Sequence, residues 1–370
     1  SMNIIVEKPN INSSYFNFQA GTGLSIIYGL GAIKGVGHAA IDNIIAEREK
    51  NGQYTSFYDF CVRVDLQKVN KRSLEALILS GSFDELHNNR QSLMQGMEDM
   101  TKAAAKKKLD NEAGQYDLFA SITPQKENNE MPIPLPDCVD FSANERLFLE
   151  RDMLGHFMTG HPIKSVNQWL QAITSHSVIR VLELKPEEEP ASKSQDDDND
   201  YKKKSFQGTP VIVGGLVTSL RIRNEKSASL VIADENSEIE TSFFFDSFFE
   251  NREKMLKDEI LVIEGEAGID NFTSKFIIRG KQILTLNEAI ATYCTKIGFT
   301  TASTDYQQFS EQLKALFSEF GTGKARIYIH HEQDGIISNL KLGNKHKIRP
   351  SYDLIQKAQK LSSINKVIIK

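Results

Sequence analysis

Residues 29–37, GLGAIKGVG, constrain the fold more than any other stretch of the chain. Four apolar residues follow at the three- and four-residue spacing of an amphipathic helix: Ala40, Ile41, Ile44 and Ile45. Gly35 and Gly37 flank one apolar residue, a pattern that favours a tight turn with positive φ and close approach to another molecule. The first backbone N–H groups of the following helix have no partner inside the helix, so the sequence predicts an anion site there, reinforced by Lys34.

This pattern resembles the helix-hairpin-helix module, which holds the DNA backbone without reading the base sequence. An ordinary turn between two helices is the alternative, and Ile41 departs from the small alanine usual in the module. In the DNA-binding interpretation, Val36 anchors the turn to the core while the amides of 35–37 hold a phosphate. The predicted DNA contacts are Lys34, Gly35, Val36, Gly37 and His38.

A second helix, turn and helix follows the first. Thr55 or Ser56 can cap a helix with an apolar face, residues 65–70 form a turn, and a further helix begins near Lys71 and stops at Gly81. Between residues 63 and 72 the sequence has four basic residues and one acidic residue, Asp65. The basic residues are Arg63, Lys68, Lys71 and Arg72. Cations at a helix N-terminus oppose the helix dipole, and a phosphate would relieve that conflict. We therefore predict DNA contacts from Lys68, Lys71 and Arg72, with a solvated helix start as the alternative.

Residues 99–141 are predicted to be a linker, since residues 123–137 hold four prolines. Within it, QYDLF at 115–119 matches the Gln-x-x-Leu-Phe pattern by which replication and repair proteins bind the sliding clamp. Gln115, Leu118 and Phe119 are the predicted clamp-binding residues, and a turn packed on a neighbouring element is the alternative. A capping box at Ser142 begins a predicted helical connector, 142–184. The acidic segment 185–209 is too polar to order itself.

Residues 210–290 are predicted to form a five-stranded OB barrel, because three strands, a short helix and two strands follow in order. Basic residues near one turn and on the last strand predict a groove for single-stranded DNA: Arg221, Arg223, Lys226, Lys275 and Arg279. Stacking aromatic residues are missing from the second strand, and Phe272 and Phe276 are possible substitutes. At least two rings of the run 243–245 are predicted to lie in the core. The sequence leaves open whether DNA or protein fills the groove.

The pattern of residues 294–370 predicts a small α/β domain of the kind used for protein interactions, with no catalytic constellation.

The chain has 44 basic and 49 acidic residues, so its bulk charge does not indicate nucleic-acid binding, although a local surplus of charge matters more than the sum. Three distant cysteines predict no disulfide framework and a reducing compartment. The histidines lack metal-ligand spacing, so no metal or cofactor is predicted. No membrane span or signal peptide is found, and Ser1-Met2 suggests a piece of a longer protein.

Order and motifs together resemble one family, the alpha subunits of bacterial DNA polymerase III, which are the C-family replicative polymerases. The segments that carry this resemblance are YGLGAIKGVG at 28–37, KVNKRSLE at 68–75, SGSFD at 80–84 and LGHFMTGHP at 154–162. The resemblance implies a C-terminal fragment: the end of the fingers and a hairpin (1–28), a tandem helix-hairpin-helix domain (29–98), the clamp-binding linker, the OB domain (210–290) and a domain that binds the tau subunit of the clamp loader (294–370).

The resemblance also implies what this piece should do. The metal-binding aspartates of the palm would lie upstream, so the parent would be a cytoplasmic DNA-directed DNA polymerase, and this piece, without a catalytic residue, would not polymerise. A repair ligase, which also combines hairpin and OB modules, would need a nucleotidyl-lysine motif, which the sequence lacks. A stand-alone single-strand-binding or repair accessory protein is the second alternative. The clamp motif and the ordered tail argue against it.

Overall fold

The computed structural model describes residues 4–112, 134–185, 206, 208–270, 273–302, 305–333, 336–343 and 345–370. The predicted clamp-binding residues Gln115, Leu118 and Phe119, and most of the acidic segment 185–209, lie outside these ranges. The chain divides into two compact units, Ser1–His161 and Pro162–Lys370. No described helix has the length and apolar character that a membrane span requires.

The first unit opens with a small three-stranded sheet: β1 (Ile5–Glu7), β2 (Gln19–Ala20) and β3 (Ser25–Ile27). Strands β2 and β3 are antiparallel around the glycines at 21 and 23, as the predicted hairpin requires. Strand β1 adds to the other edge of β3 in parallel, giving the order β1-β3-β2. The prediction for 1–28 missed this third strand, because three residues are too few to show an alternating pattern.

Helices form the rest of the first unit. They are a short 3-10 helix (Leu30–Ala32), α1 (His38–Asn51), α2 (Phe57–Arg63), α3 (Lys71–Leu79), α4 (Arg90–Glu112) and α5 (Ala143–Leu154). Their apolar faces share one core, in which Leu30, Ile41 and Phe60 are fully buried. The predicted pair of helix-turn-helix modules is therefore present.

The predicted linker, 99–141, differs from the structure at both ends. Helix α4 continues to Glu112, and Met100 and Ala104 on it are buried in the core of the first unit. Beyond the undescribed residues, the hydroxyl of Ser92 donates to the carbonyl of Pro136 at 2.7 Å, so 134–141 packs along the start of α4. The composition of this stretch is mostly polar, so the sequence did not indicate the end of α4. Its few apolar residues are buried against residues that are distant in the sequence.

A buried ion network holds α3, α4 and α5 together. The Arg90 side chain is 1% exposed and donates to Asp84 at 2.7 Å and to Glu150 at 2.8 Å. Burial alone would raise the pKa of the Asp84 carboxyl. The hydrogen bonds and charge of Arg90, with Lys8 and Arg146 nearby, outweigh burial and hold that pKa below its usual range.

The second unit begins with a 3-10 turn (Pro162–Ser165) and two short helices, α6 (Asn167–Ile173) and α7 (Val178–Leu182). The barrel strands are β4 (Thr209–Asn224), β5 (Ser227–Ala233), β6 (Glu238–Phe244), β7 (Ile260–Ile269) and β8 (Phe276–Thr285). Helix α8 (Asp246–Asn251) and a 3-10 turn (Arg252–Lys254) lie between β6 and β7. The strands close in the order β4-β5-β6-β8-β7, with β6 and β8 parallel. This confirms the predicted OB barrel.

The C-terminal part is a mixed sheet with helices. Its elements are α9 (Leu286–Tyr293), β9 (Lys296–Thr301), α10 (Tyr306–Phe320), β10 (Thr322–Gln333), β11 (Ile336–Lys341), β12 (Lys347–Ile348), α11 (Tyr352–Gln359) and β13 (Lys366–Ile369). The strand order is β11-β10-β9-β13, with β12 on β10 and β9 parallel to β10. The predicted sequence of helical, barrel and α/β regions is thus confirmed.

The barrel and the C-terminal sheet share a hydrophobic core, which the prediction of separate domains at 210–290 and 294–370 did not anticipate. Trp169 on α6, Val262 on β7, Ile290 on α9 and Phe299 on β9 are all buried in it. The predicted connector, 142–184, is divided as well. Helix α5 lies in the first unit, whereas α6 and α7 lie in the second.

Candidate nucleic-acid interface

The turn of the first hairpin lies between the 3-10 helix and α1. Gly35 has φ +94°, a conformation that residues with a side chain rarely adopt, so the predicted need for glycine is met here. Val36 packs against the core of the first unit, which anchors the turn. The backbone N–H of Lys34 donates to the carbonyl of Met153 at 2.9 Å, fixing the entry to the turn.

Two details of the predicted turn are wrong. Gly37 has φ −81° and ψ 156°, ordinary extended backbone, because it is the N-cap residue of α1. A Cβ built on Gly37 meets nothing within 4 Å. The amide of Val36 is not free either, since it donates to the carbonyl of Ile33 at 3.3 Å. Among the described residues, the amides of Gly35, Gly37, His38 and Ala39 are left without a hydrogen-bond partner.

The second hairpin has a similar turn, 65–70, without glycine and without a residue at positive φ. Val69 is buried, whereas its counterpart Val36 is half-buried, and the Val69 N–H donates to the carbonyl of Asp65 at 2.8 Å. Asn70 caps α3 with its side chain, which accepts from the Ser73 amide at 3.0 Å. The sequence placed Asn70 in the predicted turn 65–70, but its role as the N-cap of α3 was not predicted, although Asn is a favoured cap residue. Asn70 corresponds to Gly37, and both have extended backbone at an N-cap, so the two turns differ here only in that Asn70 caps its helix with a side chain.

The two hairpins meet. The hydroxyl of Ser73 on α3 donates to the carbonyl of Gly35 at 3.4 Å. A Cβ on Gly35 would lie 3.6 Å from both Arg72 Nε and Ala76 Cβ, so the Arg72 side chain runs beside the first turn. The starts of α1 and α3 therefore form one surface, which we call the hairpin face, defined by Lys34, Gly35, Gly37, His38, Lys71 and Arg72.

The dipoles of α1 and α3 add to the positive charge of this face. The first turns of α1 and α3 contain no acidic residue. The first turns of α4, α6, α7 and α10 also lack an acidic residue, whereas those of α2, α5, α9 and α11 carry one that stabilises the helix dipole. What is particular to α1 and α3 is that their two starts meet on one surface. The two hairpin helices thus present uncompensated positive ends on one surface, which is the arrangement that binds an anion.

The predicted cations differ in their contacts. Lys34 and Arg72 are exposed, and neither has an ion-pair partner in the part of the chain that the structure describes. Lys71 pairs with Glu98, Lys68 lies 3.8 Å from Asp65, and His38 contacts Asp42 at 2.7 Å. These pairs are exposed, so a polyanion can replace the carboxylates at small cost.

Arg63, counted in the cation cluster from sequence, has a structural role instead. Its guanidinium donates to the carbonyls of Glu47 and Gly52 at 2.9 and 2.7 Å and contacts Asp59 at 3.2 Å. It also lies over the ring of Tyr54, 4.4 Å from the centroid. Arg63 therefore joins α1 to α2 and does not belong to the hairpin face.

A second basic surface lies on the outside of the barrel. The strand register places Arg221, Ser229, Ser242 and Arg279 in one row across β4, β5, β6 and β8. The Arg279 guanidinium stacks over the ring of Phe206 at 4.5 Å, and its buried Nε has no hydrogen-bond partner among the described residues.

Glu240 reduces the charge of this barrel face. Arg223 pairs with one of its carboxylate oxygens at 2.7 Å, and Lys275 lies 3.8 Å from the other. Lys226 and Arg221 are exposed. The five predicted cations are thus partly neutralised by a carboxylate that the sequence did not connect with them.

The aromatic residues near this face depart from the prediction. Of the run 243–245, only Phe243 is in the core, whereas Phe244 is half-buried and Phe245 is 64% exposed. Strand β6 ends there and Phe245 takes a positive φ, which turns its ring outward. Phe276 packs against the barrel core, and Phe272 lies outside the described residues. Phe244 and Phe206, both beside Arg279, are therefore the rings available on the barrel face.

Within the described ranges, no group of three or more His, Cys, Asp or Glu side chains is arranged to hold a metal ion. The cysteines at 61, 138 and 294 are free thiols, and burial raises the pKa of Cys61 to about 12. A thiol with so high a pKa is a poor nucleophile at neutral pH. Cys61 therefore packs in the core, without reactive chemistry.

Comparison with known proteins agrees with this geometry. A family model described as a helix-hairpin-helix motif matches residues 3–93. DNA polymerase III subunit alpha of Vibrio cholerae is 27% identical over 98% of this chain and 30% of its own length. The subunits of Escherichia coli K12 (28% identical) and Xylella fastidiosa Temecula1 (29%) match 96% and 100% of this chain and 29% and 31% of their own lengths.

The resemblance predicted from the sequence is thus confirmed across nearly the whole chain, which spans about three tenths of the length of these relatives. Solved structures match smaller parts. A replication protein A heterotrimer bound to single-stranded DNA is 14% identical, with a TM-score of 0.18, over 21% of this chain and 57% of that chain. That likeness is too low to bear on function.

Proposed function

We propose that this chain is the DNA- and accessory-protein-binding region of a bacterial C-family replicative DNA polymerase. The observation that carries the proposal is the hairpin face. Two helix N-termini without acidic first turns meet beside Gly35 and Arg72, on a chain that resembles DNA polymerase III alpha subunits throughout. Two anion sites with flanking cations suit neighbouring phosphates of a duplex.

The hairpin face is suited to backbone binding and unsuited to base reading. Backbone N–H groups and exposed lysine or arginine side chains contact phosphates, which carry no sequence information. None of the six residues that define the face is Asn or Gln, the side chains that pair with adenine in the major groove. We therefore assign it the task of holding duplex DNA in register, whatever its sequence.

For the barrel we propose single-stranded template binding. Arg221 and Arg279 lie at the two ends of a row of small serine side chains, and rings of Phe206 and Phe244 flank Arg279. Cations that track a backbone beside rings that stack on bases are the features of sequence-tolerant single-strand binding. Glu240 limits this charge, so we expect the barrel to bind more weakly than the hairpin face.

Two protein partners complete the proposal. Gln115, Leu118 and Phe119 would bind the sliding clamp, and the C-terminal α/β part would bind the tau subunit of the clamp loader in the cytoplasm. An apolar groove of about 580 Å³ between α10 and the sheet, lined by Phe309, Leu313 and Leu340, supports a protein partner there. We further propose that this chain alone does not polymerise, since the resemblance implies that the palm carboxylates lie in another part of the parent protein.

The hairpin proposal is tested by duplex-DNA titrations of the full chain. Lys34→Gln with Arg72→Gln should weaken binding of every duplex sequence by a similar factor, about tenfold, while the melting temperature stays unchanged. Lys50→Gln is the matched control, because this exposed lysine lies in the last turn of α1, about 18 Å from its start. Equal affinity in the double variant and the control would overturn the assignment.

A further inference from the structure

One face of the C-terminal sheet is covered by helices and the other is open. Ile297, Phe299, Ile327 and Val367 point into the shared core, against α10 and α11. Because successive side chains of a strand point to opposite faces, the alternate residues lie on the other side. We call that side the open sheet face, defined by Lys296, Gly298, Thr300, Arg326, Tyr328, His330, Asn339, Lys341, Lys347, Lys366, Ile368 and Lys370.

The register places cations side by side on this face. Arg326 pairs with Lys296 on one side and with Lys347 on the other. Lys370 continues the row beyond Lys296, since the backbone groups of these two residues exchange hydrogen bonds at 2.7 and 2.9 Å. Four cations thus cross four strands, over about 14 Å at a strand spacing of about 4.8 Å.

A hollow of about 270 Å³ lies beside this row. Gly298, Tyr328, His330 and Ile368 line it together with two lysines of the row. Gly298 keeps it open, because a Cβ there would lie 2.8 Å from the His330 imidazole Nε2. The hollow therefore combines an aromatic ring and apolar walls with cations at its rim.

Few anions balance these charges. Lys341 and Lys366 also lie on the face, and none of its six cations has an ion-pair partner among the described residues. Glu332, two residues beyond His330 on β10, is the nearby acid on this side. Like charges directly opposite one another destabilise a sheet. A bound polyanion would remove that repulsion.

We propose that the open sheet face is a further binding site for single-stranded nucleic acid, separate from the hairpin face and the barrel face. Phosphates would lie along the row Lys370, Lys296, Arg326 and Lys347, and one base would enter the hollow and stack on Tyr328. An open sheet face with an aromatic ring among cations has the chemistry for this, since every base offers a π-face. An acidic protein segment would use the cations but not the ring.

The test compares full-chain variants binding oligodeoxythymidine at several salt concentrations. Lys296→Gln, Arg326→Gln and Lys347→Gln together should lower the log–log salt slope by about 2, at about 0.7 for each lost contact with a single strand. The matched control is Arg252→Gln, Lys314→Gln and Lys360→Gln, which also removes one arginine and two lysines. These three residues are exposed and lie outside this face, so the control should leave the slope unchanged. The neutralised sheet should melt no lower than the wild type, because repulsion is lost.

A second measurement addresses the ring. Tyr328→Leu should weaken oligodeoxythymidine binding at least about fivefold, and a bromodeoxyuridine-substituted oligomer should photo-cross-link to the peptide that contains Tyr328. The same slope in both triple variants, with cross-links confined to other peptides, would overturn the proposal. If poly-L-glutamate displaces the oligomer and Tyr328→Leu binds like the wild type, the face is a surface for acidic protein, and the nucleic-acid proposal is wrong.

Discussion

At the scale of single residues, the two glycines of the first hairpin have different physical roles. Gly35 is required by its backbone conformation, φ +94°, whereas Gly37 has an ordinary φ and open space where a Cβ would be. What Gly37 offers is clearance in front of the first amides of α1. Stability and DNA binding should therefore respond to different glycines.

Substitution by serine separates these roles. Gly35→Ser should destabilise the protein by about 1–2 kcal/mol, the cost of a left-handed backbone conformation for a residue with a side chain. Gly37→Ser should leave stability unchanged or slightly higher, since serine is a favourable N-cap residue. Thermal unfolding of both variants checks the difference. A larger loss for Gly37→Ser would show that its extended conformation is assigned incorrectly.

The buried ion network around Arg90 links stability to pH. The pKa of the Asp84 carboxyl is lowered in the folded protein, whereas in the unfolded chain it has its ordinary value of about 3.9. Between these values the unfolded chain binds more protons, so the free energy of unfolding rises with pH. The stabilisation is complete above the ordinary pKa and is lost as the pH falls through the folded one.

Asp84→Asn should remove this dependence. We expect a loss of about 3 kcal/mol at neutral pH, because one partner of a buried arginine is neutralised, and a smaller further loss than in the wild type as the pH falls below the ordinary carboxyl pKa. Urea titrations followed by circular dichroism measure both quantities. Asp152→Asn, at a mostly exposed carboxylate paired with Arg151, is the control and should change stability by less than about 0.5 kcal/mol. An unchanged pH profile in Asp84→Asn would contradict the account.

At the scale of elements, amphipathic or alternating patterns made most helices and strands predictable. The order of strands and helix in the barrel and the α/β character of the C-terminal part match the prediction, because most of these elements bury one face and so have a periodic apolar pattern in the sequence. The end of α4 and the role of α6 were not predictable. Met100 and Trp169 are buried by partners far away in the chain, and no local pattern reports such contacts.

The sequence predicted which residue types lie at the hairpin turns, but not which side chains pair with one another. The Gly-x-Gly pattern and the cations near 71–72 indicated a phosphate-binding surface. Nothing local showed that Arg63 bonds carbonyl groups of α1, that Glu240 sits between two cations, or that Ser73 joins the hairpins. Each of these contacts connects residues at least 10 positions apart, and their side chains could equally have faced solvent.

The shared core predicts joint unfolding of the barrel and the C-terminal sheet. Ile290 on α9 is fully buried there, so Ile290→Ala should destabilise both parts by about 2–5 kcal/mol. Trp169, the one tryptophan of the chain, reports the transition by fluorescence. Phe249→Ala, at a ring that is 55% exposed on α8, is the control and should be nearly neutral. Separate transitions for barrel and sheet would show that the core does not couple them.

At the scale of the whole molecule, charge is distributed in patches on a chain of net charge −5. The hairpin face, the barrel face and the open sheet face are local cationic surfaces, so the overall sum hides the electrostatics that matter for a polyanion. Several modest sites on one chain raise its effective affinity for a long DNA, since a second contact becomes intramolecular.

The clamp proposal makes a prediction at this scale. Replacing Gln115, Leu118 and Phe119 together by alanine should abolish binding to the sliding clamp, because the hot-spot side chains are removed. The melting temperature should stay within error if these side chains have no place in either core. Surface plasmon resonance against immobilised clamp and thermal unfolding check the two expectations. Clamp binding that persists would place the contact elsewhere in the chain.

The salt dependence of duplex binding tests the central claim most directly. If the hairpin face holds DNA through phosphates, the logarithm of affinity should fall linearly with the logarithm of salt concentration, at about 0.9 for each phosphate contact. Duplexes of different sequence should give the same line, and Lys34→Gln with Arg72→Gln should reduce the slope by about 2, which Lys50→Gln should not do. A flat response to salt, or a strong preference for one duplex sequence, would contradict this account.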